Sequence, residues 1–277
     1  MPRIFLTGIA LLGAGWAQPS LPFEPTHDSG QSITGAFEGW FPNPDGTFSL
    51  LLGYYNRNQK QIIDILPGPN NRIEPDGPDR GQPTHFLPGR QWGVFTITVP
   101  KDFGERKLTW TLVANGKTSV IPVSLHVNYE VSPFVEASGN TPPFIAFSES
   151  GPFVQGPRGQ SKELTTTVSE PLTIELWLAD DAKSTFAVRL PGLPVTVAWS
   201  KFRGPGEVKF SSARPTVEKA EFKPPDPAVF SGTATTTAKF SEPGEYILRV
   251  VANDWSGDGG RGFQCCWTNA QVKVKVK

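Results

Sequence analysis

The sequence predicts an all-β chain of two β-sandwich units in tandem behind a cleaved leader, and three observations carry that expectation. Glycine and proline number 28 each in 277 residues, an excess that favours short strands joined by turns over long helices. Apolar residues recur at every second position in short runs bounded by turn signals, the period of a strand with one buried face. A Pro-, Gly- and Ser-rich break at residues 132–141 divides the chain into two stretches, each long enough to bury its own core.

Residues 1–17, MPRIFLTGIALLGAGWA, place one cation at Arg3 before an apolar segment and end on Gly15, Trp16 and Ala17. This is the pattern of a secretory signal peptide cut after Ala17, and it predicts an exported protein, periplasmic or extracellular. Residues 18–32 follow as coil. The apolar run is well short of the ~20 residues that span a bilayer, so no membrane span is expected. The 26 basic and 26 acidic side chains leave no net charge, which removes any general attraction for nucleic acid or an anionic membrane. The two cysteines, Cys265 and Cys266, are adjacent, and in an oxidising compartment they are expected to pair as a vicinal disulfide.

The first unit is expected over residues 33–131. Phe37, Trp40 and Phe41 precede a Pro-Asn-Pro-Asp-Gly turn at 42–46, strands follow at 47–55 and 61–66, and residues 67–84 form a polar loop. Such a loop is a solvated connector or a recognition loop. Strand character resumes at 85–87 and 92–99. Over 107–123, Leu108, Trp110 and Leu112 alternate with threonines, and Asn115-Gly116 supplies the two positive-φ positions of a tight hairpin. The strands at this spacing are those of an immunoglobulin-like sandwich, a fold of roughly seven strands.

The second unit is expected over residues 142–277. Residues 171–181 read PLTIELWLADD, 195–200 VTVAWS, 204–210 GPGEVKF and 240–254 FSEPGEYILRVVAND, and Val272, Val274 and Val276 then alternate with lysines as in a half-buried edge strand. In this order the segments resemble PKD-like and cadherin-like modules, immunoglobulin-like β-sandwiches of exported proteins. The resemblance implies a second sandwich with a binding or spacer role. The long loop after Asp180 and the loop carrying Cys265 and Cys266 depart from its pattern. Trp110, Trp177 and Trp199 lie in strand patterns and are expected in cores.

Candidate site residues gather at one pole of this unit. The loops after the second and sixth strands of such a sandwich emerge at the same end, which brings Asp180 and Asp181 toward Asn253, Asp254 and Asp258. Carboxylates meeting there repel unless a cation intervenes, and oxygen ligands without sulfur or imidazole suit Ca²⁺; Lys183 and Arg261 are the competing partners. Trp255 and Trp267 flank a Gly-rich loop and read either as exposed platforms for a sugar or a protein, or as a cover over the sandwich end. No nucleophile elbow, zinc-protease or phosphate-loop motif occurs, and His27, His85 and His126 are scattered. The sequence therefore points to an exported non-catalytic binding or spacer module for a protein or surface-glycan partner. The alternatives are an accessory domain of a hydrolase, a secreted hydrolase with its site in the long loops, and a carbohydrate-binding module.

Overall fold

The computed structural model describes residues 26–183, 192–255, 257–258 and 265–277. The segment expected to be a leader, most of the loop after Asp180, and Arg261 lie outside them. The described chain is nearly all β, with a short 3-10 turn at Val127–Tyr129.

In the first half, β1 (Ile33–Pro42), β2 (Phe48–Asn56) and β6 (Gly89–Val99) form one antiparallel sheet. β4 (Asn71–Glu74), β7 (Lys107–Ala114) and β8 (Lys117–Ser124) form the facing sheet, while β3 (Ile63–Asp64) and β5 (His85–Phe86) pair as a small ribbon. β1, β2 and β6 thus make one sheet and β4, β7 and β8 the other, two antiparallel layers of an immunoglobulin-like sandwich. The β7–β8 hairpin turns through Asn115 (φ 48) and Gly116 (φ 74) with Ala114 opposite Lys117, as the local sequence predicts. The strand expected over 61–66 shortens to Ile63–Asp64. Ile73, Phe95, Trp110 and Leu112 fill the core, with Phe95 and Trp110 edge to face at 5.3 Å.

The second half holds β9 (Phe144–Ala146), β10 (Gln160–Thr166), β11 (Leu172–Asp180), β12 (Thr196–Arg203), β13 (Val208–Phe210), β14 (Glu218–Lys219), β15 (Phe230–Phe240), β16 (Gly244–Asn253) and β17 (Trp267–Val276). One sheet runs β13-β15-β11-β9 and the other β10-β17-β16-β12. Both marks of an immunoglobulin-like sandwich are present. Trp199 is buried on the third principal strand, and Tyr246 at the start of β16 donates its hydroxyl to Glu242 O at 2.8 Å.

Two expectations fail here. β17 is an inner strand, because β10 pairs with it in parallel from Gln160–Ala270 to Thr166–Val276; its lysines mark an open face of the sheet, not an edge. Trp177 is only half-buried and lies off the core, its ring edge against Phe222 at 5.2 Å.

β16 joins the two halves. An alternating strand would expose every second residue, yet Leu248 to Asn253 are all buried. Leu248, Val250 and Ala252 face the sandwich core, and the opposite face is covered by the first half. There Trp267 packs with Phe41, Leu51 and Val251, Phe202 of β12 enters the first core, and Arg249 and Asn269 bond to the β6 backbone. The residue 67–84 loop belongs to this seam too: Arg203 pairs with Asp79 at 2.7 Å and donates to Gln82 O at 2.5 Å.

Candidate functional site

The ends of β11 and β16 meet at one pole, as the strand order requires. Asp180 is fully buried. Its Oδ1 accepts from Ala182 N at 2.7 Å, in a turn that holds Ala182 at φ 54, and its Oδ2 has no hydrogen-bond partner. Asp181 accepts from Thr141 N and Oγ1, both at 3.0 Å, and from Lys183 N at 2.9 Å. Asp254 accepts from Asn140 Nδ2 at 2.5 Å, and the buried Asn140 Oδ1 has no partner. The linker residues Asn140 and Thr141 thus lie against the two loops. Burial first, then the Asp181 and Asp254 charges, push Asp180 up to about 8, so at neutral pH it carries a proton.

The expected five-residue set divides. Asp258 is half-exposed and takes Arg214 in a two-point ion pair at 2.8 and 3.2 Å, and Asn253 Nδ2 lies 3.4 Å from the same carboxylate. Asp258 is thus engaged by Arg214. Among the described residues no three His, Cys, Asp or Glu side chains stand in metal-holding geometry. The oxygens on the Asp180 side fit a hard cation in kind; the set with Asp258 does not form a cage. Lys183 Nζ stands 4.0 Å from Asp181.

Cys265 and Cys266 are joined by an S–S bond and buried just before β17, with Cys266 Sγ 3.6 Å from Asn140 O. Trp267 is no exposed platform: it is 2% exposed, because the first half closes over the outer face of β17. Trp255 is half-buried.

The seam was not legible in the sequence. Arg249 donates from Nη2 and Nε to Asn269 Oδ1 at 2.8 and 3.2 Å, and from Nη2 to Gly93 O at 3.3 Å. Asn269 donates onward to Gly93 O at 2.7 Å and Pro157 O at 2.9 Å. Glu38 accepts from Arg90 at 2.5 Å and Gly93 N at 2.6 Å. Burial lowers Arg249 to about 10, with Tyr54, Glu38 and Asp258 opposing, so it remains a cation at neutral pH. Beside this network a cleft of about 660 Å³ opens between the halves, lined by Asp64, His85, Trp92, Trp199, Arg214 and Arg249 among others. Asp64 accepts from His85 Nδ1 at 2.7 Å and lies 3.5 Å from Lys201 Nζ. Burial works against the Asp64 charge, but these two partners hold the carboxyl below its usual range. The available signal was the polar Arg249 at an outward position within the apolar run of β16.

No family model matches the chain, and no curated protein matches it. Among solved structures it is similar to domains 4 and 5 of the S-layer protein SbsC, at 12% identity over 89% of this chain and 98% of that one, with a TM-score of 0.22. It is similar to the D00-D0 domain of Intimin at 13% identity, over 88% and 99%, with a TM-score of 0.24. Cadherin-like domains 1 to 4 of zebrafish RET give 12% identity over 82% and 48%, with a TM-score of 0.24. At these values the likeness says nothing of function, and the architecture stands on the chain's own strand order.

Proposed function

We propose that the chain is an exported, non-catalytic binding module of the PKD-like kind, in which two sandwiches are locked together to present a recognition surface to a protein or surface glycan. The observation that carries this reading is the seam. The outer face of the β12-β16-β17 sheet is spent on the first half, which fixes the two units and leaves a mixed polar and aromatic cleft at their joint. Clefts between units are favoured places for ligands.

The competing hydrolase reading has its best foothold in the same cleft, where Asp64 orients His85 and Ser200 also lines the wall. Assay with activated esters and glycosides decides between them. The wild type and His85→Ala are expected to give the same background; turnover that His85→Ala abolishes would establish the hydrolase instead.

Calcium at the acidic pole is a second reading, favoured by the partnerless Asp180 Oδ2 and Asn140 Oδ1. A cation bound only by the folded chain raises its Tm. A Tm unchanged between millimolar Ca²⁺ and chelator would remove this reading.

A further inference from the structure

The seam cleft is bordered by one buried donor that the fold leaves unused and by one buried cation. Trp199 is 4% exposed, and its indole N–H has no acceptor. Arg249 is 7% exposed, and among the described residues its hydrogen bonds run through Nε and Nη2. Both side chains line the cleft. A buried donor without an acceptor is uncommon in folded proteins and costly, and a ligand rich in acceptor oxygens would complement both residues.

The charge pattern narrows the ligand. Asp64 is engaged by His85 and Lys201, Asp258 by Arg214, and Glu38 by Arg90. Arg249 feels the Glu38 and Asp258 charges, but its hydrogen bonds go to neutral oxygens, with no carboxylate at hydrogen-bond distance among the described residues. A buried charge is stabilised by an opposite charge, and a guanidinium matches a carboxylate in shape as well as sign. Glu207 also borders the cleft, but it is solvent-exposed and its charge is screened.

The remaining lining favours a sugar over a peptide. Trp92 is a half-buried indole backed by the Arg90 guanidinium 3.8 Å from its ring centroid, which fixes a flat apolar surface. Gln91, Asn253 and the Arg214–Asp258 pair offer donors and acceptors at separate points around it, as a ring bearing many hydroxyls requires. An extended peptide would need a free strand edge, and at Trp199 the β12 edge is already taken, its N–H donating to Ala213 O at 2.7 Å. A volume of about 660 Å³ lies within the ~300–1,000 Å³ of small-ligand sites.

We infer that the seam cleft binds an acidic saccharide, its carboxylate held by Arg249 and its ring set against Trp92. This deepens the binding-module reading and rests on it. The test is titration of the full chain, by calorimetry and tryptophan fluorescence, with glucuronate- and galacturonate-containing hexasaccharides, their carboxyl-reduced forms and an acidic hexapeptide. Saturable binding of a uronate oligomer is expected, weakened at least tenfold by carboxyl reduction. Trp92→Ala is expected to weaken it at least tenfold. Trp199→Phe, which keeps an aromatic ring in the core and removes the N–H, is expected to weaken it severalfold with the Tm nearly unchanged. The inference is overturned by absence of saturable binding at millimolar oligomer, by equal binding of the reduced forms, by wild-type affinity in both variants, or by preference for the peptide. A peptide preference, or no sugar binding together with no His85-dependent turnover, would still leave the binding-module reading standing.

Discussion

Asp180 is a carboxyl kept neutral by its surroundings, and this has a pH signature. Its folded value of about 8 lies above the ~3.9 of an unfolded aspartate. Between those values the native state binds more protons than the unfolded chain, so this residue makes stability fall as pH rises, by up to about 1.4 kcal/mol per pH unit. Asp180→Asn keeps the acceptor for Ala182 N and removes the titration. Relative to wild type it is expected to gain stability progressively from pH 5 to pH 8, measured by denaturant unfolding across that range; parallel profiles would show that Asp180 titrates normally. A second residue-scale prediction concerns Gly93, which has φ 49 and no room for a Cβ because the Trp267 ring occupies that space. Gly93→Ala is expected to destabilise the chain by roughly 1–3 kcal/mol through overpacking, seen as a lowered Tm.

At the scale of elements, what the sequence announces is what local chemistry fixes. The β7–β8 hairpin was readable because Asn115-Gly116 supplies its own turn geometry. Tyr246 and the Glu242-Pro243-Gly244 corner were readable because they are contiguous. The inner position of β17 was not, since its partner β10 lies about a hundred residues earlier and a lysine-studded strand looks the same at an edge or beneath a solvated face. Nor was the burial of Arg249 and Asn269 on β16 and β17, because an outward polar residue in a strand ordinarily means solvent. Asn269→Ala is expected to cost more than a surface change. It removes the acceptor of a buried guanidinium and two onward donations, and leaving a charged donor unsatisfied costs about 2–4 kcal/mol; equilibrium unfolding measures this, and a change under 0.5 kcal/mol would mean that water substitutes freely at the seam.

For the whole molecule, the seam bears on the expectation, from the Pro- and Gly-rich break between them, that residues 34–131 and 142–277 fold independently. Each half has its own core, yet Phe202 of the second half completes the first core, and Phe41 and Leu51 of the first lie against Trp267 and Val251 of the second. Calorimetry of the intact chain is expected to show one coupled transition. Residues 26–131 expressed alone are expected to melt lower than the intact protein and to bind a hydrophobic dye through the uncovered Phe41 and Leu51. Two separate transitions, with an isolated first half as stable as in the whole, would show that the seam contributes little.

The sequence by itself determined the all-β class, the immunoglobulin-like strand pattern and the buried Trp199 of the third strand of the second half, because strand period and turn chemistry are local. Only the tertiary structure decided that Asp258 pairs with Arg214, that Trp267 is buried, and that the outer face of β16 is covered to leave a cleft beside Arg249. Those outcomes depend on how one sandwich lies against the other. That packing is set by the fit of Trp267, Phe41 and Leu51 and by the bonding of Arg249 and Asn269 to the β6 backbone, contacts between residues far apart in the chain that no repeating pattern along it encodes.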